Sequence, residues 1–143
     1  MSQRATIVIL IIAIVCLLLG TGIYYFFRTP VVAFAKLHIT QVEIIQTINK
    51  DNLFLYFLIY CLPDALWYMS LLLVQIFFLK EKGWLNRLLV GIAVSLPFLL
   101  ETGQYFGCVS GTFDWFDIIT YCLTLIIFLL CSRKVFSLLL YKQ

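Results

Sequence analysis

The chain has 143 residues, of which 64% are hydrophobic and only 12% are charged, and its formal net charge is +3. About a quarter of the residues in a soluble domain are charged, so this composition excludes a soluble globular fold. We expect an all-α integral membrane protein, because helices satisfy their own backbone hydrogen bonds in lipid. The sequence contains no phosphate-binding loop and no Ser/His/Asp set, and nothing in it predicts a nucleic-acid partner.

The five cysteines fall in or beside apolar segments, and no two of them have C-x-x-C spacing. Cysteines in such surroundings usually pack as small apolar side chains. The cysteine pattern therefore predicts neither a disulfide framework nor a structural metal site.

Four apolar segments are long enough to cross a bilayer, whose core of about 30 Å needs roughly 20 apolar residues per helix. They lie at about residues 5–27, 53–79, 88–109 and 115–131. The third segment reaches this length only if it includes Glu101 and Gln104, which are therefore predicted to lie inside the membrane. The first segment is longer than the apolar region of a signal peptide, so we interpret it as an uncleaved anchor. We expect one transmembrane domain over residues 1–143, folded as a four-span helical bundle.

The loop after the first span carries a helix signal of its own. Thr40 and Glu43 match a capping box, in which each side chain accepts a hydrogen bond from a backbone N–H at the start of a helix. Apolar residues follow at helical spacing. We expect a short amphipathic outer-surface helix at about residues 41–49, lying on the membrane.

The basic residues indicate which side of the membrane each loop faces. With four spans both termini share one side, which has seven basic residues: Arg4, Lys80, Lys82, Arg87, Arg133, Lys134 and Lys142. The other side has three: Arg28, Lys36 and Lys50. Cytoplasmic loops carry the excess of Lys and Arg, so both termini are predicted to be cytoplasmic. The loop before the fourth span has no Lys or Arg and is expected to face outward.

Six side chains in and beside the spans form the candidate binding pocket: Asp64, Trp67, Glu101, Gln104, Asp114 and Asp117. At 1.5 Å per residue, Asp64 is expected about 16 Å and Glu101 about 12 Å below the outer ends of their spans. Asp114 and Asp117 stand at the outer end of the fourth span. Ionisable groups within a membrane usually turn toward the bundle interior and mark functional sites. We therefore expect an outward-facing acidic pocket.

The charge of this pocket has no partner within the spans, because the spans contain no Lys or Arg. Three ways of compensating this charge remain open. The acids are protonated and bonded to one another, or they bind a divalent cation such as Mg²⁺ or Ca²⁺, or they bind a positive group of a ligand.

Structural interpretations of the same residues also remain open. Asp114 and Asp117 are suited to the start of the fourth helix, where a carboxylate complements the helix dipole. Asp64 is suited to satisfying the backbone break that Pro63 imposes on its helix. Glycines spaced four apart are interpreted as a close-packing helix face: Gly103, Gly107 and Gly111.

Three short motifs occur in order along the last two-thirds of the chain: Pro63-Asp64 with Trp67, Glu101 with Gln104, and Phe113-Asp114 with Asp117. In this combination the chain resembles the VanZ-like membrane proteins, a family with a member associated with resistance to the glycopeptide teicoplanin. The resemblance implies a small multi-span protein of the bacterial cell (inner) membrane that acts in the cell envelope, and it implies no specific reaction. This chain has Thr112 where many relatives have an arginine, which removes the expected counter-ion of the pocket.

Three functions fit these predictions. The pocket is expected to bind or process a lipid-linked or cell-envelope molecule at the outer leaflet, and thereby to affect antibiotic resistance. Alternatively the chain is a structural or assembly subunit, bound to another membrane protein or to a second copy. A third alternative is a small carrier, because Pro63 and Pro97 interrupt helices near polar residues, as in transporters. No motif identifies a nucleophile, so no catalytic residue is assigned.

Overall fold

The computed structural model describes residues 3–27, 53–78 and 83–140, with side chains of the last helix described as far as Ser132. All the regular structure in these ranges is helical. The first helix is α1 (Gln3–Phe27), and the third and fourth are α3 (Trp84–Tyr105) and α4 (Trp115–Leu140). The second helix, α2, joins Leu53–Tyr56, a π-helical turn Phe57–Cys61 and Leu62–Phe78 without a break. The surface helix expected at residues 41–49 lies outside the described residues.

All four helices are long and apolar enough to cross a membrane, with mean hydropathies between 1.4 and 2.9. This confirms the all-α class and indicates a multi-pass membrane protein. Two of the helices, α3 and α4, differ in their bounds from the expected segments. Helix α3 begins and ends four residues earlier than the segment 88–109, and α4 continues past residue 131 to Leu140.

A glycine explains the early end of α3. Gly107 has a φ of +69°, a left-handed conformation that glycine adopts without steric cost. Its N–H donates to the carbonyl of Gln104 at 3.0 Å, and the N–H of Cys108 donates to the carbonyl of Gly103 at 2.8 Å. These two bonds define a Schellman motif, which closes a helix by satisfying its last carbonyls. The interpretation of these glycines as a helix-packing face is wrong, because Gly107 and Gly111 lie beyond the helix.

Helix α2 is the centre of the bundle. It contacts all three other helices, whereas α1 contacts α2 and no other described helix. The π-helical turn just before Pro63 is closed by the Leu62 N–H, which bonds to the carbonyl of Phe57. Such single π turns re-aim the side chains that follow them and recur at functional sites.

A glycine lets α1 approach α2 closely. A Cβ placed on Gly20 would lie 2.9 Å from Trp67 Cδ1 and 3.0 Å from the Pro63 carbonyl oxygen. Next to it, Trp67 Nε1 donates a hydrogen bond to Thr21 Oγ1 at 3.2 Å. Small residues at helix crossings allow this close approach in membranes.

The opposite half of α2 packs into an apolar cluster. Five buried side chains form it: Ile9, Tyr68, Leu72, Ile76 and Phe128. The hydroxyl of Tyr68 donates to the carbonyl of Val94 at 2.8 Å, so this half of α2 is tied to α3 as well. Because Ile9 lies at this level and Gly20 lies beside Pro63, α1 runs antiparallel to α2.

Candidate functional site

The acids of the described helices gather at one end of the bundle. The start of α2, the end of α3 and the start of α4 meet there, and we call it the acidic end, defined by Asp64, Glu101, Asp114 and Asp117. Arg4 and Arg87 belong to the first turns of α1 and α3, at the opposite end. Arg87 and Glu101 are separated by about 21 Å along the same helix. Described charges are therefore segregated along the long axis of the molecule.

Asp114 caps α4 and ties it to α2. Its Oδ1 accepts a hydrogen bond from the N–H of Phe116 at 2.9 Å, the bond that an N-cap aspartate makes to an unpaired backbone donor. Its Oδ2 accepts a hydrogen bond from the hydroxyl of Tyr56 at 2.9 Å. The Tyr56 ring stacks on Tyr60 with a centroid separation of 4.8 Å. The capping interpretation of Asp114 is therefore confirmed, and the same carboxylate also holds the start of α2.

Glu101 is the only buried residue of α3, with 5% of its surface exposed. Its Oε2 accepts a hydrogen bond from the backbone N–H of Asp114 at 3.4 Å. Because α3 ends at Tyr105, Glu101 lies about 6 Å from the end of its helix, rather than the 12 Å expected from a helix ending at Val109. Glu101 therefore joins the end of α3 to the cap of α4.

Cys61, the last residue of the π turn, lies at the centre of the acidic end. It is 1% exposed and forms a side-chain hydrogen bond with Thr120. Asp64, Asp114 and Asp117 all lie close enough to interact electrostatically with its thiol. Asp64 of α2 is thus brought to the same end of the bundle as Asp114 and Asp117, which lie at the start of α4.

Gln104 packs against the loop between α3 and α4. A Cβ placed on Gly111 would lie 2.7 Å from both Cδ and Nε2 of Gln104. Gly111 also has a φ of +140°, a conformation that side-chain-bearing residues rarely adopt. The backbone conformation of Gly111 therefore favours glycine, and the side-chain amide of Gln104 packs against it.

An apolar groove of about 150 Å³ begins beside Asp64 and runs between α2, α3 and α4. Its walls include Asp64, Trp67, Leu96, Pro97, Leu100 and Tyr121. On the α3 side Leu96 and Leu100 are exposed, so the groove opens sideways, toward lipid if the helices span a membrane. Of the six predicted pocket residues, Asp64 and Trp67 line this groove. The other four lie at or near the ends of α3 and α4, so the six do not share one cavity.

Several residues of this site were not predicted from the sequence, namely Tyr56, Cys61, Leu96 and Leu100. Tyr56, Tyr60 and Asp64 recur every fourth residue, which is a helical-face signal that points to Tyr56. No comparable signal marks Leu96 and Leu100, because one leucine in an apolar span resembles any other. Within the described ranges, no three His, Cys, Asp or Glu side chains are grouped as metal ligands would be.

Comparison with models of protein families, with curated proteins and with solved structures finds no match to this chain.

Proposed function

We propose that this chain is a VanZ-like protein of the bacterial cell (inner) membrane that binds a lipid-linked or cell-envelope molecule at the outer leaflet. The hydrocarbon part of the ligand occupies the groove between α2 and α3, and its polar part reaches the acidic end. Both termini are cytoplasmic in this arrangement. Binding of an envelope precursor is the step through which the protein would alter susceptibility to teicoplanin.

The observation that carries this proposal is the groove itself. It combines apolar walls from Leu96, Pro97 and Leu100 with one carboxylate-bearing residue, Asp64, at its edge. Ligand sites are typically concave and apolar with a few polar groups that fix orientation. A hydrocarbon chain attached to a polar head has the same division into two parts.

The segregation of charge supports the orientation. The described cations Arg4 and Arg87 lie at the end opposite Glu101 and Asp114, and basic residues favour the cytoplasmic side. The acidic end then faces outward, where lipid-linked envelope molecules carry their polar groups. In the proposed orientation, the polar part of the ligand and the acids lie at the same level of the membrane.

A pair of tryptophan substitutions tests the groove. Leu100→Trp places a large ring in the groove, whereas Leu99→Trp adds the same ring to a neighbouring position that is 61% exposed and does not line it. Native mass spectrometry of protein extracted from a bacterial membrane measures retained lipid. We expect Leu100→Trp to lose the bound molecule and Leu99→Trp to keep it. Equal retention of lipid by both variants would show that the lipid does not bind in the groove.

A susceptibility assay tests the biological consequence. Expression of the chain in a teicoplanin-susceptible bacterium is expected to raise the minimum inhibitory concentration, and Leu100→Trp is expected to abolish the increase while Leu99→Trp preserves it. If the native chain leaves susceptibility unchanged although lipid binding is confirmed, the ligand is right and the link to teicoplanin is wrong.

A second candidate function, a structural subunit of a membrane complex, is favoured by the bonds of Asp114. Both of its carboxylate oxygens accept hydrogen bonds from within the chain, which is what a helix-fastening residue requires. The two functions make different predictions for Asp64. A subunit whose acids only hold helices together would lose partner association in Asp64→Asn, whereas the binding function predicts loss of ligand with the fold intact.

A further inference from the structure

A second hollow, of about 250 Å³, lies at the acidic end, outside the groove described above. It is lined by Thr102, Tyr105, Phe113, Trp115 and Ile118. None of these residues lines the groove, so an inference from this hollow does not rest on the proposed function. Three of the five lining side chains are aromatic, and the hollow sits where α3 ends and α4 begins.

The three aromatic rings are arranged as adjoining walls. The ring centroids of Tyr105 and Phe113 are 5.2 Å apart with an interplanar angle of 70°. Those of Phe113 and Trp115 are 5.0 Å apart with an angle of 81°. Phe113 therefore stands nearly perpendicular to both of its neighbours. In each edge-to-face pair the edge of one ring covers one face of its neighbour, and the opposite face of that neighbour is left for the hollow.

The faces of aromatic rings carry partial negative charge and attract cations. Cages built from several rings recognise quaternary ammonium groups, which are held by the ring faces without hydrogen bonds. Thr102 fits this chemistry, since its hydroxyl already donates to the carbonyl of Phe98 at 2.7 Å. It can offer only oxygen lone pairs and its methyl group to the hollow.

The charge around the hollow also favours a cation. Asp114 lies between Phe113 and Trp115 in the chain, and Glu101 directly precedes Thr102. The described arginines lie at the far end of the bundle. The described acids therefore lie at the end of the bundle that carries this hollow, and the described cations do not.

Trp84 shows what distinguishes this hollow from an ordinary row of interfacial aromatics. Trp84 begins α3 at the opposite end and is 75% exposed, as expected of a side chain that anchors a helix at the membrane surface. It makes no ring contact among the described residues, whereas Trp115, which is 68% exposed, forms one wall of a hollow. Anchoring alone does not require rings to adjoin.

The geometry points to a binding site for the quaternary ammonium headgroup of a membrane lipid, formed by Tyr105, Phe113 and Trp115. The headgroup sits among the three ring faces, and Glu101 and Asp114 supply the compensating negative field. The lipid is the source because the hollow lies at the ends of two membrane-length helices, at the level where headgroups occur.

Choline and its neutral isostere test the site. Protein carrying Trp84→Phe, reconstituted in phosphatidylglycerol nanodiscs, is titrated with choline chloride or with 3,3-dimethyl-1-butanol, and tryptophan fluorescence is followed. The double variant Trp84→Phe/Trp115→Leu gives the signal of the remaining Trp67, which is subtracted. Choline is expected to change the emission saturably, and the isostere, which has the same shape without the charge, is expected to have little effect. Trp115→Leu, measured by calorimetry, is expected to weaken choline binding about two- to fivefold, the range of cation–π contributions at exposed sites, because Trp115 is 68% exposed.

A second experiment tests the lipid as the source of the headgroup, with phosphatidylcholine in place of phosphatidylglycerol in the nanodisc. The headgroup of the lipid is expected to occupy the hollow and to raise the apparent Kd of free choline. Equal responses to choline and its isostere, or unchanged binding in Trp115→Leu, would overturn the cation site. Choline binding that is the same in both lipids would overturn the lipid assignment.

Discussion

The two halves of α2 hold the bundle together by different means. From Tyr68 to Ile76 the helix packs apolar side chains against α1 and α4. From Tyr56 to Asp64 it carries a hydroxyl, a thiol and a carboxyl group of its own, and the Tyr56 hydroxyl donates to Asp114 at the start of α4. In lipid, apolar contacts gain no hydrophobic driving force, because lipid tails are as apolar as leucine. The apolar half therefore depends on the closeness of packing, while the polar half depends on particular hydrogen bonds.

The comparison also indicates where function belongs. Packed apolar surfaces fix the distance between helices but recognise no ligand. The polar half carries the π-helical turn and Asp64, which lines the groove. Function is expected to change through the polar half and stability through the apolar half, and four substitutions test this separation.

The largest effect on stability is expected for Leu72→Ala. Leu72 is fully buried at 0% exposure, so truncation leaves a cavity. Such truncations in cores usually cost about 2–5 kcal/mol, and we expect the lower end here because lipid also solvates leucine. Unfolding in mixed micelles measures the change, with Leu18→Ala as the control, since Leu18 is 65% exposed. Equal losses in both variants would contradict the packing argument.

Gly20→Ala is expected to have the next largest effect. The added Cβ meets Trp67 and the carbonyl of Pro63 at about 3 Å, so α1 must move away from α2. Overpacking of this kind costs about 1–3 kcal/mol. Gly22→Ala is the matched control, because nothing lies within 4 Å of a Cβ at that position. If the two alanine variants unfold at the same denaturant concentration, the close approach does not contribute to stability.

Asp114→Ala is expected to cost about 1 kcal/mol through loss of the helix cap, with a smaller contribution from the lost Tyr56 bond. Asparagine caps helices as well as aspartate does, so Asp114→Asn should retain most of the stability. Measuring the free energies of unfolding of Asp114→Ala and Asp114→Asn tests this prediction. Equal destabilisation by alanine and asparagine would mean that the charge of Asp114, rather than its hydrogen bonds, fastens the helices.

Glu101→Gln is expected to change stability least, by about 0.5 kcal/mol or less, because the amide oxygen still accepts the N–H of Asp114. Its effect on function should be large, since it removes the only buried carboxyl group of α3. Ligand retention and unfolding are measured on the same preparation. A Glu101→Gln variant that unfolds readily and yet keeps its ligand would show that Glu101 stabilises the fold and does not contribute to ligand binding.

The sequence was sufficient for the parts of the fold that depend on composition and length. Four apolar segments predicted four helices, and Asp114 before an apolar run predicted a cap. The end of α3 was missed because hydropathy continues through Val109, whereas the backbone conformation of Gly107 ends the helix. The groove was also missed, because its walls depend on the relative positions of α2 and α3, which periodicity alone does not determine.

The most direct test of the account is a high-resolution map of the protein purified from bacterial membranes without added lipid. We predict elongated density between Leu96, Pro97 and Leu100 that continues to Asp64 and ends near the acidic end, and no such density in Leu100→Trp. A groove closed by its own side chains, with the acids bonded only to one another, would contradict the binding function and leave the structural subunit as the better account.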